Sequence, residues 1–211
     1  MSRFIEIPNF CNGHVILPNL ERIAATLRDH LDVEQAEIRF SFPYFAVRKA
    51  PVSGALSLTR YDVAFLASSG EEFDFTLTVI VPVNTLCTCS RKISEKGAHN
   101  QQAEVTITVR MDRLVWIEEL AEIAEEGASS PVLTLLKSED EKFITEKAYD
   151  TPRFVEDVVR DVAVRLDDDP RILWYSVRVV SRKSIHAHEA FASLSRDKGV
   201  WIDQQRGDRH R

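Results

Sequence analysis

Cysteine is scarce in this sequence. Cys11, Cys87 and Cys89 are the three present in 211 residues. An odd, small number is a poor disulfide framework. Cys87 and Cys89 stand too close together to cross-link an extended strand usefully. In a reducing compartment their remaining uses are metal binding, catalysis or burial. Long apolar runs are also missing, and none approaches the roughly 20 residues that span a bilayer. The opening MSRFIEIPNF lacks the basic-then-apolar order of a secretion signal. Positive charge is in deficit: 27 Lys and Arg against 33 Asp and Glu leave a net −6. That balance disfavours a nucleic-acid duplex or an anionic membrane as partner. A small anionic substrate stays open, because local basic side chains can outweigh a distant net charge. The expected location is the cytoplasm.

What is present is an ordinary globular composition, 44% apolar and 28% charged, long enough for a real core in one domain or two small ones. After a short opening strand, Leu20, Ile23, Ala24, Leu27 and Leu31 recur at helical spacing and predict a helix over 19–31, started by Pro18-Asn19. Strands are predicted over 36–46, 55–67 and 73–82 from period-two alternation. The segment 83–102 breaks that pattern, and alternation resumes over 105–111. A helix follows over 114–126, with Gly127 in the place of a C-terminal cap. A short helix is predicted over 131–136 and a longer one over 153–166, with Pro152 at its first turn. Strands over 172–182 and 185–195 precede a charged tail, 197–211, expected to fray. No low-complexity linker separates the halves, so a shared sheet or close packing is expected. The class is α+β with antiparallel pairing.

Reactive side chains concentrate in four places. Cys87 and Cys89 lie in TLCTCSRK, with His99 twelve residues after Cys87 in GAHNQ. Thiolate and imidazole are good ligands for zinc, iron or cobalt, although the spacing fits no standard zinc finger. The plain alternative is a small buried cysteine and a histidine capping a turn. His186 and His188 alternate and would face one side of a strand; a surface pair is the plainer reading. The acidic run Asp140 to Glu146 reads as an irregular stretch between helices, by default a solvated loop. Glu156 lies beside the apolar stripe Val155, Val158, Val159 and Val162, which also suits a rim glutamate in water.

Three of these segments, TLCTCSRKISEKGAHNQ, LLKSEDEKFITEKAYDTPRFVEDVVRDVA and SIHAHEAFA, resemble those of prokaryotic type IB GTP cyclohydrolases, and the likeness runs over about 1–195. The resemblance implies the tunnelling fold (T-fold), an antiparallel sheet with paired helices in two tandem units, and a homotetramer with active sites at subunit interfaces. Residues 1–70 would form a partial first unit and 71–196 a second that carries the metal-site motifs. It also implies one divalent ion per site (manganese, iron or zinc), held by Cys87, Glu141 and His186, with His99 as a further ligand or a proton carrier. Cys89 would be a second catalytic cysteine, and Glu156 would hold the guanine edge. Arg91 and Lys92 are nearby candidates for the triphosphate, though ordinary surface charge explains them as well. The implied reaction opens the imidazole ring of GTP to give 7,8-dihydroneopterin triphosphate and formate.

Two departures from the family pattern stand out. Thr88 sits between the cysteines where a proline is usual, and the chain starts where relatives are already in mid-domain. The second departure suggests a misassigned start or a shortened paralogue. Competing expectations are another tunnelling-fold enzyme of purine or pterin chemistry (an archaeal-type iron-dependent cyclohydrolase or a nitrile reductase) and a non-catalytic assembly module.

Overall fold

The computed structural model describes residues 17–199. The predicted opening strand, Cys11 and most of the charged tail lie outside them. In chain order the elements are α1 (Leu17–Leu31), β1 (Ala36–Lys49), β2 (Leu56–Ser69), β3 (Phe73–Leu86), α2 (Thr88–Ile93), β4 (Asn100–Met111), α3 (Ile117–Gly127), β5 (Ser130–Pro131), α4 (Ser138–Asp150), α5 (Val155–Asp168), β6 (Ile172–Arg182) and β7 (Glu189–Asp197). The strands form one sheet in the order β1-β2-β3-β4-β6-β7, with the two residues of β5 pairing to β3. β4 and β6 pair antiparallel from Ala103↔Ser181 to Met111↔Ile172, and β6 and β7 from Arg182↔Glu189 to Trp174↔Asp197. No helix among the described residues is long and apolar enough to cross a membrane.

The chain divides into two compact units. In the first (17–42 with Ala64–Leu77), Ile23 and Leu27 of α1 pack with Ala36, and Ile38 lies against them. Phe65 stacks edge-on to Phe42 with ring centroids 5.1 Å apart and tilts against Phe75 at 5.6 Å. In the second (Pro43–Val63 with 78–199), Val79, Val81, Val83, Val105, Ile107, Val109 and Val177 are fully buried. They alternate along β3, β4 and β6, so one face of the sheet forms the core. The stripes of α3 (Leu120, Ala121, Ala124) and α5 (Val158, Val162, Leu166) are buried as well, as their 3.6-residue spacing requires.

Several sequence expectations change. Gly127 is the last residue of α3 and is not among the left-handed glycines, Gly54 and Gly97, so it is no left-handed cap. Its role is clearance: a Cβ there would lie 2.9 Å from Cγ2 of Val162, where α3 and α5 meet. The predicted helix over 131–136 is absent, and Ser130–Pro131 is strand instead. The acidic run placed between helices is itself helix α4. α5 starts at Val155, with Phe154 as its N-cap, so Pro152 lies outside it.

The misread helix starts share one cause. α3, α4 and α5 follow Trp116, Lys137 and Phe154, none of which offers a usual capping oxygen. An acid three residues on reaches back to the cap amide instead. Glu119 accepts from Trp116 N at 2.7 Å, Asp140 from Lys137 N at 3.0 Å, and Asp157 from Phe154 N at 3.0 Å. This is half of a capping box.

Candidate active site

The segment that broke the strand pattern is a short helix between two neighbouring strands. β3 ends at Leu86, and Cys87 caps α2, its Sγ accepting from Ser90 N at 3.4 Å. Cys87 N donates to the His99 carbonyl at 3.2 Å. Ser90 Oγ donates to the Cys87 carbonyl at 3.1 Å and accepts from His99 N at 3.3 Å. The two motif residues are therefore fastened to each other through their backbones, with Ser90 as the clasp. Between them the chain turns at Gly97, whose φ of 134° lies in the region closed to most L residues.

The same place receives a third segment. His99 Nδ1 is 2.8 Å from Oγ of Ser184, two residues past the end of β6. His186 and His188 follow, both exposed, in a bend rather than the strand their spacing suggested. Their rings nevertheless stack, centroids 5.2 Å apart. Partial burial opposes ionisation of the Cys87 thiol. The Ser90 amide and hydroxyl, the Cys89 amide and the charge of Lys183 outweigh it and hold the thiol below its usual range. Cys89 itself is exposed.

The remaining candidates sit on helices. Glu141, exposed, is in the first turn of α4, and its neighbour Asp140 is fully buried. Asp140 Oδ1 accepts from Val52 N and Ser53 N at 2.8 and 2.9 Å, and Oδ2 from Ser53 Oγ at 2.6 Å. Burial pushes its pKa up, but these donors outweigh burial and hold it well below the usual carboxylate range. Asp140 thus pins the start of α4 to the 50–54 turn and sets where Glu141 stands. Farther along α4, Tyr149 lies under the Arg91 guanidinium at 4.6 Å; Lys92 is exposed. Glu156, also exposed, is in the first turn of α5. It lines a cleft of about 390 Å³ with Arg160, Tyr175, Leu194 and Arg196 among its walls.

Cys87, His99, Lys183 and Ser184 are thus brought together. Among the described residues of one chain, no group of three or more His, Cys, Asp and Glu is close enough to hold a metal. Thiolate, imidazole and carboxylate suit zinc, iron or manganese by type, and a lowered thiol pKa suits a ligand. Sequence reasoning missed Ser90, Ser184, Lys183, Tyr149 and Asp140. Only Asp140 left a signal, as the acid three residues into a helix.

A family model described as Type I GTP cyclohydrolase folE2 matches residues 1–192. GTP cyclohydrolase FolE2 of Kosmotoga olearia is 50% identical over 200 residues, which cover 95% of this chain and 78% of that protein. The FolE2 of Caldicellulosiruptor saccharolyticus is 52% identical over 195 residues, covering 92% and 75%. Among solved structures, a hyperthermostable mutant of Bacillus sp. TB-90 urate oxidase matches with TM-score 0.52 at 10% identity, covering 94% of this chain and 77% of that one. Uricase from Arthrobacter globiformis matches with TM-score 0.50 at 11% identity, covering 95% and 78%.

These findings correct two expectations. The matching description is Type I GTP cyclohydrolase folE2, which replaces the type IB resemblance. The architecture is a seven-stranded antiparallel sheet with helices, like that of the urate oxidases. It replaces the tunnelling fold in two tandem units with the first incomplete. Hydrophobic period reports which segments are strands and helices, but not the order in which the strands join a sheet.

Proposed function

From the premise that this chain belongs to the Type I GTP cyclohydrolase folE2 family and is an enzyme of that activity, we propose that it is metal-dependent. We propose further that it converts GTP and water to formate and 7,8-dihydroneopterin triphosphate. The observation that carries the site assignment is the fastening of Cys87 to His99, with Ser184 bonded to the His99 ring.

The Glu156 carboxylate accepts from the adjacent N1–H and 2-amino group of guanine, a pairing that fixes the ring in register. Arg91 and Lys92 meet the triphosphate, and the Tyr149 ring limits the swing of Arg91. Cys87, Glu141, His186 and His99 would hold one divalent ion, manganese, iron or zinc, with residues of more than one subunit of a homotetramer completing the set. When bound, that ion supplies the acidity that makes water a nucleophile near neutral pH. One water adds at C8 and opens the ring to a formamide, and a second water hydrolyses the formamide. Cys89 and His99 pass protons to the ring nitrogens as the two C8–N bonds break in turn and formate leaves. The ribose carbons then rearrange and close the second pterin ring with loss of one water, so one water is consumed overall. The enzyme works in the cytoplasm, at the entry to folate synthesis.

The test is to incubate the reduced protein with GTP and each metal, measuring formate and, after oxidation and dephosphorylation, neopterin fluorescence. Product that disappears with a chelator and in Cys87→Ala is the expected result. Full turnover in the presence of the chelator would overturn the metal requirement. A cyclic-phosphate product would overturn the product assignment.

A further inference from the structure

We propose that Ser184 is a positioning residue for this reaction, its hydroxyl orienting the His99 imidazole; the proposal rests on the assignment of His99 to the site. The backbone of His99 is already fixed on both sides: its carbonyl accepts from Cys87 N and its amide donates to Ser90 Oγ. Those bonds place the Cα and leave the ring free to turn about its two side-chain torsions. The ring is only half-buried, so packing alone does not choose its direction. A hydroxyl 2.8 Å from Nδ1 does. With Nδ1 engaged, Nε2 points to the opposite side of the ring, free to carry a proton or meet a metal.

The hydroxyl comes from the right place for this task. β4 and β6 run antiparallel with Ala103 opposite Ser181. Extending that register past the paired strands carries His99 alongside residues 184–185. The strand ends are laced by polar side chains just before this point: Thr85 Oγ1 donates to the Gln101 carbonyl at 3.2 Å and lies 3.4 Å from Ser181 Oγ. Ser184 also opens the bend that carries His186. One hydroxyl therefore sets the ring of one motif from the backbone of another, 85 residues away.

Three single variants of the full chain, Ser184→Ala, Ser184→Thr and His99→Gln, and one double variant test the assignment. Removing the group that orients a site histidine costs on the order of tenfold to a hundredfold. Ser184→Ala is expected to lower kcat by about tenfold while KM for GTP stays within about twofold, and Ser184→Thr to restore most of the loss. In the double variant Ser184→Ala/His99→Gln, kcat should be no lower than in His99→Gln alone, since there is no ring left to orient. A second readout needs no turnover: the zinc affinity of metal-free protein, measured by competition with a chromophoric chelator. Affinity that falls with kcat supports Ser184 as orienting a ligand; kcat that falls alone supports it as orienting a proton carrier. Ser184→Ala with unchanged kcat and unchanged zinc affinity overturns the proposal, as does a loss that threonine fails to restore. A fully active His99→Gln removes the assignment beneath it and overturns both.

Discussion

Asp140 and Cys87 each stand at the start of a helix, and their side chains are used in opposite ways. The Asp140 carboxylate is fully buried and accepts four hydrogen bonds, from Val52, Ser53 (twice) and Lys137. The Cys87 thiol is half-buried and accepts from the Ser90 amide, and its burial is opposed by dipoles and by Lys183. A polar group whose bonds are all made fixes the structure, and its loss is felt in folding. A polar group held in place but incompletely satisfied keeps capacity for a ligand. The region around Asp140, and the trio of half-buried Arg48 with buried Tyr61 and Glu125, belong to the first kind. The Cys87–His99 turn belongs to the second.

That division breaks if a variant of one region behaves like the other. Cys87→Ala gives the largest expected effect: formate release is lost, while the thermal midpoint falls by no more than a few degrees, the cost of one weak thiol cap. A large fall in the midpoint would make Cys87 a structural residue. Gly127→Ala is the converse. The new Cβ meets Cγ2 of Val162 at 2.9 Å, and such overpacking costs roughly 1–3 kcal/mol in chemical denaturation. Turnover per folded molecule should be unchanged.

Tyr61→Phe comes next. It removes the hydroxyl that donates to Glu125 Oε1 at 2.8 Å and leaves a buried carboxylate short of one donor, for about 1–2 kcal/mol. An unchanged denaturation midpoint would show the trio to be slack. The last test follows Asp140 through acid. The folded-state pKa of Asp140 lies below its ordinary 3.8, so its contribution is present above that value. It is lost as pH falls from there through the folded pKa. Asp140→Asn should flatten the acid limb of the stability curve over that window. A limb of unchanged slope would mean that other carboxylates set it.

Much of the scaffold could be read from residue spacing. The alternation of β3 and β4 and the stripes of α1, α3 and α5 are direct images of burial, because one side of each element meets the core. Helix starts were harder to read. Trp116, Lys137 and Phe154 offer no usual capping oxygen, and the stabilising acid lies three residues inside, so α4 read as a solvated loop. Cys87, His99 and Glu156 carry types of chemistry that the sequence displays openly. The links between them do not show in the same way. Ser184 bonds to a residue 85 positions away, and only the β4–β6 register brings the two together. The order of strands in the sheet is equally long-range, and the architecture expected from resemblance had to give way to the urate-oxidase-like one.

Gly97 carries one more consequence. Its φ is 134°, and a Cβ there would find nothing within 4 Å, so the turn that delivers His99 excludes ordinary residues by handedness rather than by lack of room. The path between Cys87 and His99 is therefore a stereochemical choice made at one atom. A chain assembled with D-alanine at this position should keep the turn, and one with L-alanine should strain it.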